Sequence, residues 1–149
     1  MPEKETLERA EEDKREGKSP STQAGEFVRE EIHHIREGKH GAASAKQAIA
    51  IGLSKARRAG VELAQPKKGR VSEKTRKAAA RDSKVGHSPK KKSVSAKRSR
   101  SSEAALKREP RSAASHKALS RQAKSAAKAR ERKGPVTTGA RRTSRRKAA

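Results

Sequence analysis

Five cations, Lys117, Arg121, Lys124, Lys128 and Arg132, recur at spacings of four, three, four and four, which on a helix makes one continuous basic stripe. Like charges at i,i+4 repel in water, and the repulsion disappears against phosphate, so the stripe is suited to folding on a polyanion. Lys90, Lys91, Lys92, Lys97, Arg98, Arg100, Arg141, Arg142, Arg145, Arg146 and Lys147 extend the same chemistry along the C-terminal half. Lys46, Lys55, Arg57 and Arg58, further upstream, are expected as secondary contacts to backbone phosphate. Such cations act by releasing condensed counterions, so their chemistry is neutralisation and not bond making. No aromatic ring lies in the C-terminal half to stack on an unpaired base, which favours duplex DNA over single-stranded RNA.

A second group with chemical potential is His33, His34 and His40 beside Glu30, Glu31 and Glu37. Glu31-x-x-His34 has the spacing of a carboxylate and imidazole that share a metal. A single such pair lacks a second set of ligands, so a surface cluster is expected, with no metal and no cofactor. The chain has no cysteine, which removes disulfides, thiolate zinc sites and cysteine nucleophiles. No serine sits in a nucleophile turn, no Gly-x-x-x-x-Gly-Lys-Ser/Thr loop occurs, and no buried carboxylate pair can be placed. A binding protein is expected, not an enzyme.

The elements that position these residues must form from little apolar material. Leu, Ile, Val and Phe number 16 of 149 residues, below the roughly one fifth at which highly charged chains become disordered. Residues 1–65 hold 12 basic and 12 acidic side chains, whereas residues 66–149 hold 29 basic and 5 acidic, so the whole net charge of +24 follows Gln65. Nine large apolar residues, from Phe27 to Leu63, crowd into the neutral half. The division predicts an all-α fold: a small antiparallel helix pair at 19–65, a charged arm at 1–18, and a largely disordered basic tail at 66–149.

The arm, Pro2 to Glu16, is expected to be a fraying, solvated helix with Glu5–Arg9 and Glu11–Arg15 pairs. A sharper alternative makes it an acidic arm that folds back on the tail and competes with nucleic acid. Ser21 is expected to cap a helix from Thr22 to Glu37 that stops at Gly38, with Ala24, Val28, Ile32 and Ile35 at helical spacing beside Phe27. Ser44-x-x-Gln47 reads as a capping box for a helix through Arg58, ended by Gly60, whose face is Ala45, Ala48, Ile49, Gly52, Leu53 and Ala56. Val61 and Leu63 should fold back over the open end. The pair is too small for a self-sufficient core, which points to a homodimer or to folding on binding. Transient helices are predicted in the tail at Ser72–Arg81, Ser102–Glu109 and Ser112–Lys133. The loop after Glu37 is too long for a helix-turn-helix reader, so non-specific binding is expected.

Two resemblances accompany this reading. The strings Gly25-Glu26-Phe27-Val28-Arg29-Glu30-Glu31, Glu37-Gly38-Lys39-His40-Gly41 and Lys46-Gln47-Ala48-Ile49-Ala50-Ile51-Gly52-Leu53-Ser54-Lys55-Ala56-Arg57 resemble an uncharacterised family of small basic bacterial and phage proteins, some labelled plasmid-stabilisation or histone-like. The resemblance implies a bacterial origin and no particular activity. Ser88-Pro89-Lys90-Lys91 resembles the repeats in linker-histone tails, and the clusters at 90–92, 97–98 and 141–147 resemble nuclear import signals, which phosphate contact explains equally well. The N-terminus has no apolar signal region and no run approaches a membrane span. The expected partner is non-specific duplex DNA, with RNA or the ribosome as the alternative, in a cytoplasmic, nucleoid-associated setting without membrane. A third reading makes the helix pair a protein-interaction module that the tail localises to DNA.

Overall fold

A computed structural model describes residues 2–89 and 95–132 of the chain. Among these residues the secondary structure is helical, with no strand: α1 (Lys4–Arg15), α2 (Pro20–Glu37), α3 (Ala45–Arg58), α4 (Glu73–Gly86), α5 (Ala96–Lys107), a short 3-10 helix (Arg111–Ala114) and α6 (His116–Glu131).

Helix α2 begins one step earlier than its serines suggest. Ser19 and not Ser21 is the cap, accepting from the Thr22 amide at 3.3 Å, and Pro20 takes the first helical position, where its missing N–H costs nothing. Gly38, at φ 83°, ends the helix by donating its N–H to Ile35. At α3 the Ser44 hydroxyl accepts from the Gln47 amide at 3.2 Å. The Gln47 side chain answers one residue further back than a reciprocal box would, accepting from the Ala43 amide at 2.8 Å.

Helices α2 and α3 pack closely because Gly52 has no side chain. A Cβ there would stand 2.6 Å from the Val28 Cα. One apolar cluster joins Ala24 and Phe27 to Ala56 and Val61, with Leu53 and Leu63 against it. The other joins Ile35, Ala42 and Ala48. Phe27 is fully buried, a burial that contributes roughly 1.5–3 kcal/mol.

Further segments of the chain pack against the α2–α3 clusters. Helix α1 lies on α2, with Ala10 in the first cluster and Leu7 beside it. Arg9 Nε donates to Glu26 at 2.7 Å, and the Glu3 amide donates to Glu30 at 3.1 Å. This differs from the fraying, solvated arm the charge pattern suggests, and equally from an arm folded on the tail. Its Glu5–Arg9 pair does form, at 2.8 Å.

The segment after Pro66 also departs from a disordered tail in its described part. Helix α4, capped by Ser72, docks on α3 through Ala79 and Asp82. The 3-10 helix inserts Ala113 and Ala114 into the second cluster. Its approach is fixed by Gly41 and Ala42, whose amides donate to Leu106 at 2.9 Å and Pro110 at 3.2 Å. A Cβ on Gly41 would overlap the Glu109 carbonyl. These contacts use Ala, Gly and single polar anchors, so no hydrophobic run announces them.

Candidate nucleic-acid interface

Helix α6 opens on the Ser115 cap, whose hydroxyl accepts from the Ala118 amide at 3.2 Å. It buries none of its residues. Lys117, Arg121, Lys124, Lys128 and Arg132 are all exposed, and none meets a carboxylate within ion-pair distance among the described residues. Arg132 lies at the helix end, on the C-cap. The 3-10 helix anchors this stripe, since Arg36 Nε on α2 donates to the Ala114 carbonyl at 2.9 Å.

Lys97, Arg98 and Arg100 fall in the first two turns of α5 and are exposed. Lys90, Lys91, Lys92, Arg141, Arg142, Arg145, Arg146 and Lys147 lie outside the described residues. Lys46, in the first turn of α3, and Arg121, from α6, line one cleft of about 370 Å³ with Ser112 and Ser125. The fold thus brings one upstream cation to the stripe.

The other three upstream cations are placed differently from expectation. Lys55 is committed to Glu31 at 2.7 Å and Glu30 at 3.2 Å. Burial opposes its charge, but the two carboxylates outweigh burial and hold its pKa above the ordinary lysine value. Arg57 is buried, and burial lowers its pKa against the pull of Asp82. Its guanidinium donates to the Ala64 carbonyl at 3.3 Å, so it fastens the return segment. Arg58 is half exposed but its Nε is bound to Asp82 at 2.9 Å. Lys55 and Arg57 are thus engaged within the fold.

Sequence reasoning missed Asp82. It is buried, accepts from Ser54 Oγ at 2.6 Å as well as from Arg58, and is what holds α4 on α3. The available signal was a lone acid within a run of cations, Arg81-Asp82-Ser83-Lys84.

The histidine and glutamate group is only partly a surface cluster: His33 and Glu37 are exposed, whereas Glu30, Glu31 and His34 are buried. Glu31, paired with Lys55 of α3, is fully buried, and His34, against Glu3 at the start of α1, is buried near it. The turn after Gly38 brings His40 back, its Nε2 3.1 Å from Glu31 Oε1. Glu31, His34 and His40 each present a ligand-type atom, all within 4.8 Å of one another. Around them, Glu3 accepts from His34 at 2.8 Å and from Lys39 at 3.1 Å, which holds its carboxyl at about 2. Burial pushes Glu30 up, yet the Thr6 hydroxyl, the Glu3 amide and Lys55 together hold it below the usual carboxylate range.

No helix among the described residues is long and apolar enough to cross a membrane. No protein-family model, curated protein or solved structure matches the chain.

Proposed function

We propose that this chain binds duplex DNA without sequence preference, as a histone-like, nucleoid-associated cytoplasmic protein that neutralises phosphate and catalyses nothing. The carrying observation is how its charges are disposed. Residues 2–65 sum to zero, and many of their carboxylates are held in internal ion pairs. Residues 95–132 carry 12 basic and 3 acidic side chains, 12 − 3 = +9, with the α5 and α6 cations turned to solvent. A surface of one sign beside a neutral body attracts polyanions and gives no base-reading geometry.

In this reading α2 and α3 are an antiparallel helix pair that serves as scaffold. The reading is supported by the order of their neighbours: Ala24 shares a cluster with Ala56, Val28 faces Gly52, and Ile35 shares a cluster with Ala48. The likeness of the α3 string to the basic bacterial family is compatible with this role and adds no activity.

The test is fluorescence anisotropy of the full chain on duplexes of unrelated sequence, from about 50 to 200 mM salt, with structured RNA as competitor. Equal affinities on all duplexes and a steep fall with salt are expected. A flat salt response refutes phosphate neutralisation, and a tenfold preference for RNA refutes the choice of DNA.

A further inference from the structure

We propose that Glu31, His34 and His40 form a binding site for one divalent transition cation of the Zn²⁺ type. The inference does not rest on nucleic-acid binding. It rests on the geometry of two imidazoles gathered around one buried carboxylate.

His40 Nδ1 lies 3.0 Å from the Gly41 carbonyl. A carbonyl only accepts, so Nδ1 carries the hydrogen, and in the neutral ring Nε2 is a lone pair. That lone pair points to Glu31 Oε1, another acceptor, at 3.1 Å. Two acceptors so close need either a proton or a metal cation between them. His34 Nε2 lies 2.8 Å from the Glu3 carboxylate, and with the hydrogen on that nitrogen Nδ1, 4.0 Å from Glu30 Oε1, is the lone pair. An imidazole that ligates metal characteristically donates its other N–H to a carboxylate or a backbone carbonyl, and this pair has one of each.

Glu31 supplies the second observation. Its side chain is 1 % exposed, and Oε1 has no partner in hydrogen-bonding geometry. Lys55 Nζ stands at ion-pair distance from Oε2 and leaves Oε1 facing the imidazoles. Ligands at about 2.0–2.1 Å on a tetrahedral ion are roughly 3.3 Å apart, close to the His40–Glu31 separation. His34 must close from a spread of at most 4.8 Å, a small ring movement. Glu3, Glu30 and Glu31 against Lys39 and Lys55 leave one unbalanced negative charge, 2 − 3 = −1, to receive the cation. Two nitrogens and one oxygen suit Zn²⁺ over the all-oxygen preferences of Mg²⁺ and Ca²⁺.

Titration of the full chain with Zn²⁺ alone, followed by calorimetry, tests the site, with Co²⁺ absorption as a second readout. One equivalent is expected, with the intense visible bands of tetrahedral Co²⁺ and no response to Mg²⁺. Removing a ligand should cost more than the roughly 10–100-fold of an outer partner, so His40→Ala should weaken binding by at least about 100-fold. Glu3→Gln, which only positions His34, should weaken it about tenfold while keeping the Co²⁺ bands. The exposed His33→Ala should change nothing. Circular dichroism on each variant verifies that the helices persist. Absence of saturable Zn²⁺ binding by the parent chain overturns the proposal, and the His40–Glu31 contact is then a proton-bridged ion pair. Binding that survives His40→Ala with unchanged affinity overturns it too.

Discussion

Replacing Lys117, Arg121, Lys124 and Lys128 together by Gln removes the stripe while keeping the chain length, the Ser115 cap and every buried residue, since α6 buries none. The substitution also relieves the i,i+4 repulsion within the helix, so folding should be unharmed. If each cation neutralises one phosphate, the slope of log K against log salt falls by about 0.9 × 4, or roughly 3.6. A fourfold rise in salt, from about 50 to 200 mM, is 0.6 of a decade, so the parent chain should lose about two decades more affinity than the variant over that range. Anisotropy on one duplex at several salt concentrations measures both slopes directly. Lys4→Gln on α1, whose ammonium already lies 3.5 Å from Glu8, is the control and should leave the slope unchanged. Coincident slopes for parent and quadruple variant would refute the assignment of the stripe to phosphate, whatever the absolute affinities.

Asp82→Ala removes a charge-assisted bond to the half-exposed Arg58 and a bond to Ser54, and should loosen α4 by about 2 kcal/mol. Hydrogen exchange should then accelerate roughly 30-fold in α4 amides, with α2 unchanged; equal acceleration everywhere would mean that Asp82 supports the whole fold. Gly52→Ala gains about 1 kcal/mol of helix propensity but drives a methyl against the Val28 backbone, so a net loss of about 1–2 kcal/mol is expected on thermal or denaturant unfolding. Stabilisation would show that α2 and α3 can separate at no cost. Acid should release α1 from α2. The Glu3 carboxyl is held at about 2, below its ordinary value of 4.5, and Glu30 is lowered as well. The support from Glu3 is complete above about 4.5 and fades as pH falls through about 2, and that from Glu30 is likewise lost on the acid side. Proteolysis or amide shifts of α1 that change only above pH 5 would contradict this.

The helices of the neutral half were legible because their signals are local. Gly38 and the Ser44 cap fix two boundaries, and of the expected stripe Ala24, Val28, Ile32 and Ile35 beside Phe27, Ala24, Phe27 and Ile35 are buried and Val28 and Ile32 half-buried. Pro20 shifted the first cap, since a proline favours the first helical position and so selects Ser19 over Ser21. The docking of α4 and the 3-10 helix was not legible. Their anchors are Ala79, Asp82, Ala113 and Ala114, residue types that composition assigns to a solvated low-complexity tail. Small residues bury little area, so their packing depends on backbone approach, as at Gly41, and no hydrophobic pattern reports that. The fate of Lys55 and Arg57 was hidden for a related reason. A cation reads the same in sequence whether it meets a phosphate or a buried glutamate, and only the partner's burial separates the two.

That separation bears on how affinity and folding are coupled. The acidic side chains that could have competed with a polyanion are instead engaged inside the fold: Glu26 with Arg9, Glu30 and Glu31 with Lys55, Glu3 with Lys39, and Asp82 with Arg58. The buried or half-buried pairs lie well inside protein and are weakly screened, while exposed stripe cations act through water and are strongly screened. Salt should therefore weaken binding long before it loosens the helices. Unfolding that tracks the binding curve with rising salt would show that the packed half and the charged half are one cooperative unit, and that the same ion pairs serve both.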